Sequence, residues 1–152
     1  MDLSQALTPE AIVLGLKGST KVAVIEEMVD RLVAAGRIKD RQAALQAIME
    51  REQKMSTGMQ HGIAIPHGKT NTVDDLVALV GIKPEGMDFA SLDGQPARIF
   101  VLTLSPENRT GPHIQFLAEI SRQLNDPQIR EQLLQASAVG EVFQLLTGDR
   151  GR

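Results

Sequence analysis

Leu76-Val77-Ala78-Leu79-Val80-Gly81-Ile82 is an almost unbroken apolar run. It lacks the alternating polar positions of a strand with one wet face, so it predicts a β-strand covered on both sides. A second run, Arg98-Ile99-Phe100-Val101-Leu102-Thr103-Leu104, has the same character and stops at Ser105-Pro106. Between them lie two turn signals, Pro84-Glu85-Gly86 and Asp93-Gly94-Gln95-Pro96, and a short extended piece, Met87-Asp88-Phe89. That leaves too little chain for a helical crossover, so the sheet should be mixed rather than fully parallel.

Working outward, the flanking segments supply the covering helices. Ala11 to Leu16 reads as a first strand, ended by Lys17-Gly18-Ser19. From Thr20 the spacing changes to three and four residues, with Val22, Ile25, Met28, Val29, Leu32 and Val33 on one side, which predicts an amphipathic helix capped by Ser19 or Thr20 and stopped by Gly36. Asp40 caps a second helix over Arg41 to Lys54, with Ala44, Leu45, Ile48 and Met49 as its apolar face. Ser56-Thr57-Gly58 makes a turn, Gly62 to Pro66 a short strand, and Gly68-Lys69-Thr70-Asn71 a polar loop. Beyond the second long run, Pro112 sits in the first turn of a helix reaching Leu124, with Ile114, Leu117, Ile120 and Leu124 inward. Asp126-Pro127 opens a helix across Ile129, Leu133 and Leu134, and a last helix carries Val139, Val142, Leu145 and Leu146 to a stop at Gly148. The sum is an α/β fold, a single domain with one mixed β-sheet sandwiched between α-helices.

Composition narrows the function classes. A chain of 152 residues is long enough for one ordinary core and short for two. Its net charge of -3 gives no field to hold nucleic acid or an anionic membrane. No cysteine is present, which removes disulfides and thiolate chemistry and suits a reducing, cytoplasmic setting. The start Met1-Asp2-Leu3-Ser4-Gln5 has no signal-peptide pattern, and no run approaches the roughly 18 apolar residues of a membrane span. With no Trp or Tyr and four Phe, the core must be aliphatic and base-stacking platforms are missing.

The chemistry concentrates on three histidines, His61, His67 and His113. In Gly62-Ile63-Ala64-Ile65-Pro66-His67-Gly68 an apolar run stops at a proline, and His67 emerges where the strand should be leaving the sheet. His113 falls in the first turn of the helix after Pro112, where unpaired N–H groups favour an anion. A helix-terminal core histidine is the equally open alternative on periodicity. Arg51 stands in the last turns of the second helix and could bring its guanidinium to the same rim. Its neighbours Glu50 and Glu52 make a solvated salt bridge the plainer reading. Ser56 and Thr57 are turn formers first and phosphate contacts second. Read along one strand, His61 and His67 point the same way but lie about 20 Å apart, too far to share a metal. No Gly-x-Ser-x-Gly elbow or complete phosphate-binding glycine loop occurs. No cofactor is expected.

The ordered set Arg51-Glu52, Ser56-Thr57-Gly58, Gly62 to Gly68, Asp93-Gly94-Gln95-Pro96, the strand Ile99 to Leu104 and His113 with Leu117-Ala118 resembles the fructose/mannitol-type (type 2) enzyme IIA domain of the bacterial phosphoenolpyruvate-dependent sugar phosphotransferase system, including its nitrogen-regulatory relatives. The resemblance covers residues 1–148 and leaves 149–152 as a tail. It implies a phosphotransferase component working through a phosphohistidine. His67 would be the phosphorylated nucleophile, His113 would stabilise the phosphoryl group and Arg51 would give electrostatic support. The implied partners are phospho-HPr as donor and enzyme IIB as acceptor for sugar uptake. The alternative is a nitrogen-related regulator whose phosphorylation state controls binding to target proteins, and a third reading is an interaction module that is never phosphorylated. Met59-Gln60-His61 before the motif and Gly111-Pro112 before His113 depart from the family pattern. His61 could be decoration or tune partner choice.

Overall fold

The computed structural model describes residues 3–147 and builds the chain in the order α1 (Leu3–Ala6), β1 (Ile12–Leu14), α2 (Lys21–Ala34), α3 (Arg41–Lys54), β2 (Ile63–Ala64), β3 (His67–Lys69), β4 (Val77–Met87), β5 (Ala97–Ser105), α4 (Thr110–Leu124), α5 (Pro127–Gln135) and α6 (Val139–Thr147). Single 3-10 turns stand at Pro9–Ala11 and Glu107–Arg109. The strands make one mixed sheet in the order β1-β4-β5-β2, with β3 following β2 along the same side of β5. β4 and β5 run antiparallel, while β1 lies parallel to β4, and β2 and β3 lie parallel to β5.

The two long apolar runs are apolar throughout because each face of the sheet meets helices. Val77, Leu79, Phe100, Leu102 and Leu104 bury into a cluster with Val24, Ile25, Met28, Leu32, Ala44 and Ile48 of α2 and α3. The alternate residues Ala78, Val80, Ile82, Ile99 and Val101 bury into a second cluster with Phe116, Ile120, Leu124, Leu133 and Leu146 of α4 to α6. A period of two thus assigns each strand residue to one helix layer. Burying a single such Leu or Ile contributes about 1.5–3 kcal/mol, so the two clusters dominate the stability.

Caps fix where the helices begin. Thr20 Oγ1 accepts from the Ala23 amide at 3.1 Å, Asp40 Oδ1 from Ala43 at 3.0 Å, and Asp126 Oδ1 from Gln128 at 2.9 Å. Each satisfies one N–H that the helix leaves unpaired, at about 1 kcal/mol apiece.

Several expectations are corrected. Pro84-Glu85-Gly86 is a register irregularity inside β4, because the pairing of Met87 with Ala97 resumes beyond it. α4 starts at Thr110 with Arg109 as its cap, and no side chain makes the capping bond. Its inward stripe runs through His113, Phe116, Ile120 and Leu124, and Ile114 is 60% exposed. The first strand is shorter than read, Ile12–Leu14, and follows a helical turn α1 that the composition did not signal. Gly148 and the tail lie outside the described residues.

Candidate functional site

The site begins with a tight hairpin. Ile65 N bonds Thr57 O at 3.0 Å, Met59 N bonds Ile63 O at 2.7 Å, and Ile63 N bonds Gln60 O at 3.3 Å. The two residues at its tip, His61 and Gly62, both have positive φ, 64° and 75°, as a type I′ turn demands. His61 therefore belongs to the turn and is exposed, and Gly62, read from the sequence as the start of the strand, is the second turn residue.

The chain next crosses Ile65-Pro66 and rejoins the sheet. Pro66 has no amide hydrogen, so pairing lapses on its donor side, yet its carbonyl still accepts from Thr103 N at 3.1 Å. β3 then pairs His67 with Thr103, Gly68 with Leu104 and Lys69 with Ser105. His67 is accordingly held in the ladder, where the sequence had it leaving the sheet. The alternation survives the proline. Ile63 and Ile65 join the cluster under α4 to α6, and Ala64 joins the opposite one. Gly68 presses on α3: a Cβ there would lie 2.9 Å from the Ala47 carbonyl carbon, which only glycine avoids. By the same period His67 and Lys69 share the face toward α4.

Hydrogen bonding orients the His67 ring. Its Nδ1 lies 2.8 Å from the Ile65 carbonyl oxygen, which can only accept. Nδ1 therefore carries the hydrogen and, in the neutral ring, the lone pair is on Nε2. His113 stands edge-on to it, with ring centroids 6.1 Å apart. His113 is buried, and its Nε2 lies 2.7 Å from Thr103 Oγ1. Burial pushes its pKa down from 6.5 to about 4, with the nearby His67 and Lys69 charges adding to the effect, so the ring is neutral at pH 7.

Around this pair a cleft of about 420 Å³ runs between α3 and α4 above β3. Arg51, Lys54 and Lys69 line it against one carboxylate, Glu50, and Thr110, Ile114 and Leu117 complete the wall. Among the described residues none of the three cations is in an ion pair. Arg51 donates from Nη1 to the Met55 carbonyl at 2.8 Å instead of meeting Glu50 or Glu52, and Lys69 Nζ donates to Thr110 Oγ1 at 2.6 Å. Unpaired cations beside an available imidazole nitrogen suit a phosphoryl anion. The structure thus brings His67, His113 and Arg51 to one cleft. Ser56 and Thr57 do not line it. The larger cavity, about 610 Å³, lies around His61 and excludes His67.

Ser56 and Thr57 serve a buried anchor behind the site. Glu52 accepts from Lys21 Nζ at 2.9 Å and from the Thr57 amide at 2.8 Å, and also from the Thr57 hydroxyl. Burial raises the carboxyl's pKa, but the Lys21 and Thr57 bonds outweigh it and hold the group below the usual 4.5. The network ties the end of α3 to the hairpin and so sets Arg51 relative to His67.

Sequence reasoning missed Lys69, Lys54 and Thr103 as members of the site. Lys69 was signalled by its place two residues after His67, which on a strand means the same face. Thr103 was signalled as the one hydroxyl inside Ile99 to Leu104. Nothing in the spacing distinguished Glu52 as buried.

Known proteins of this shape are available for comparison. Residues 5–148 match the family described as "Phosphoenolpyruvate-dependent sugar phosphotransferase system, EIIA 2". The chain is 38% identical to a fructose-specific EIIA component of Haloferax volcanii, covering 95% of this chain and 94% of that protein. It is also 38% identical to a fructose-specific EIIABC component of Bacillus subtilis, of which it spans 23%. A nitrogen regulatory protein of Bradyrhizobium diazoefficiens is 30% identical over 96% of this chain and 95% of its own length. Among solved structures, the nitrogen regulatory protein IIA-Ntr from Neisseria meningitidis superposes with a TM-score of 0.88 at 28% identity, covering 95% of this chain and 98% of that one. The mannitol enzyme IIA of Escherichia coli, solved in complex with phosphorylated enzyme IIB, superposes at 0.79 with 29% identity, covering 93% and 97%. With the mixed sheet, the Pro66-His67 strand and the match over residues 5–148 in agreement, this chain belongs to the EIIA type-2 family of the phosphoenolpyruvate-dependent sugar phosphotransferase system.

Proposed function

We propose that the chain is a phosphocarrier that takes a phosphoryl group from phospho-HPr on His67 and passes it to an enzyme IIB. The observation that carries this is the Nδ1 bond of His67 to Ile65 O, which leaves Nε2 as the free nucleophilic nitrogen at a cation-lined cleft. In the forward step the Nε2 lone pair forms the N–P bond while the bond from phosphorus to the donor atom breaks, its electrons staying with the donor. The Nδ1 proton remains on the ring, held by Ile65 O, and the ring charge is released when the phosphoryl group moves on. Arg51 and Lys54 offset the charge on the equatorial oxygens. His113, neutral at pH 7, offers a ring edge without adding a competing charge. Phosphoryl transfer asks mainly for such positioning and charge stabilisation. The relay to an enzyme IIB is supported by the mannitol relative solved with phosphorylated enzyme IIB.

A regulatory role has its own support. Relatives named nitrogen regulatory proteins match nearly the whole chain, and one of them superposes at a TM-score of 0.88. In that role phosphorylation of His67 would switch affinity for target proteins.

The test is incubation with phosphoenolpyruvate, enzyme I and HPr, followed by intact mass. One acid-labile phosphate on the wild type and none on His67→Ala is expected; a wild type that stays unmodified sinks both readings. Passage of the label to an enzyme IIB favours the relay, and retention with phosphorylation-dependent target binding favours regulation.

A further inference from the structure

We infer that Lys69 is the cation that seats the phosphoryl group on His67, held ready by Thr110 until the group arrives. This deepens the phosphocarrier reading and rests on it.

Register, packing and the cleft together place Lys69 there. Its backbone is fixed in β3 by pairing with Ser105 of β5, two residues after His67, so the strand's period of two turns both side chains to the α4 side. The intervening Gly68 lies against Ala47 of α3, which confirms the direction of alternation and leaves β3 no room to slip. The Lys69 ammonium lines the same cleft as His67, Arg51 and His113, and its charge reaches far enough to disfavour a proton on His113.

The ammonium's present partner carries no charge. Among the described residues it meets no carboxylate, only the Thr110 hydroxyl at 2.6 Å, and that hydroxyl itself donates to Glu107 O at 3.2 Å. Exchanging a neutral hydroxyl for a phosphoryl oxygen turns a bond with one charged partner into one between opposite charges, and so adds their direct attraction. Lysine suits such a move because its flexible stem carries a compact charge between two positions, whereas Arg51, tied to the Met55 carbonyl, is a more fixed donor. The arrangement divides the work: Arg51 supplies a standing charge from α3, and Lys69 closes from the strand that bears the histidine.

The experiment compares wild type, Lys69→Met and Lys69→Arg, each phosphorylated by phospho-HPr and, separately, by the small donor phosphoramidate, which needs no protein docking. Lys69→Met is expected to slow both reactions about tenfold or more, and Lys69→Arg to recover to within about threefold of wild type, a cation on a phosphoryl transition state being worth this much or more. In ³¹P NMR the second ionisation of the phosphoryl group should shift to higher pH in Lys69→Met and return in Lys69→Arg. Equal phosphoramidate rates for wild type and Lys69→Met overturn the inference, and a defect confined to phospho-HPr makes Lys69 a docking residue instead. A Lys69→Arg as slow as Lys69→Met also overturns it, because charge is then not what matters. Failure of the wild type itself to accept phosphate would be a failure of the phosphocarrier reading, and so is separable.

Discussion

His113 reaches back to Thr103, with Nε2 2.7 Å from Oγ1, and Thr103 is the residue that stands beside His67 across the β3–β5 ladder. One hydroxyl inside an apolar strand therefore holds the second histidine in register with the first. Thr103→Val keeps the shape but leaves a buried imidazole nitrogen without a partner. It should cost about 1–3 kcal/mol in urea unfolding and slow phosphorylation of His67. An unchanged midpoint and rate would show that the bond positions nothing.

His113 also gives stability a pH dependence. Its folded pKa of about 4 lies below the ordinary 6.5, so between those values the unfolded chain takes up a proton that the fold refuses. This contribution is complete above pH 6.5 and is lost as the pH falls toward 4, with a ceiling of about 3 kcal/mol. The difference in unfolding free energy between wild type and His113→Asn should shrink over that window. A difference that stays constant from pH 7 to 4.5 sinks the prediction.

Glu52 anchors the hairpin from beneath. Glu52→Ala would strand the Lys21 ammonium and the Thr57 amide, a loss of about 3 kcal/mol by chemical denaturation. The carboxyl is held below 4.5, so its stabilisation is present above that pH and fades as the pH drops through the folded value. The Ala variant should lose less than wild type on acidification below pH 4.5. Equal acid sensitivity would remove Glu52 from the account.

Gly68→Ala tests the contact between β3 and α3. The new methyl would sit 2.9 Å from the Ala47 backbone, an atom that cannot swing aside. The expected cost is about 1–3 kcal/mol, with slower phosphorylation as α3 shifts and carries Arg51 away from His67. A variant as stable and as active as wild type would mean the helix moves freely.

At the hairpin tip, His61 bears a positive φ beside Gly62. Asn tolerates that conformation better and Asn-Gly is the preferred pair for the turn, so His61→Asn should raise stability by a few tenths of a kcal/mol. Phosphorylation of His67 by phosphoramidate should be unchanged, since His61 lies outside the cleft. A slower reaction would bring His61 into the site.

The sheet was legible because Val77–Ile82 and Ile99–Leu104 are short, apolar on both faces and bounded by turn residues, which favours a covered strand over a buried helix. Helices α2, α3 and α5 were legible from their caps, since Thr20, Asp40 and Asp126 act on amides two or three residues away. α4 was misread at Ile114, which is exposed; Phe116 takes the inward side with His113, Ile120 and Leu124, and Leu117 packs partly buried against the same cluster. The hairpin escaped because its geometry depends on positive φ at His61, a non-glycine residue.

What the chain determined by itself is local or periodic: the strands and their two-sided burial, the helix caps, and the Ile65-Pro66-His67-Gly68 stretch with its resemblance to a family the comparison then established. What only the tertiary structure decided is which distant groups meet. Thr103 faces His67, Lys69 reaches Thr110 forty-one positions on, and Arg51 faces the cleft rather than Glu52. Sequence spacing fixes direction within one element, but the register of β3 on β5 and the close seating of α3 on Gly68 are set by packing between elements, which no local pattern encodes.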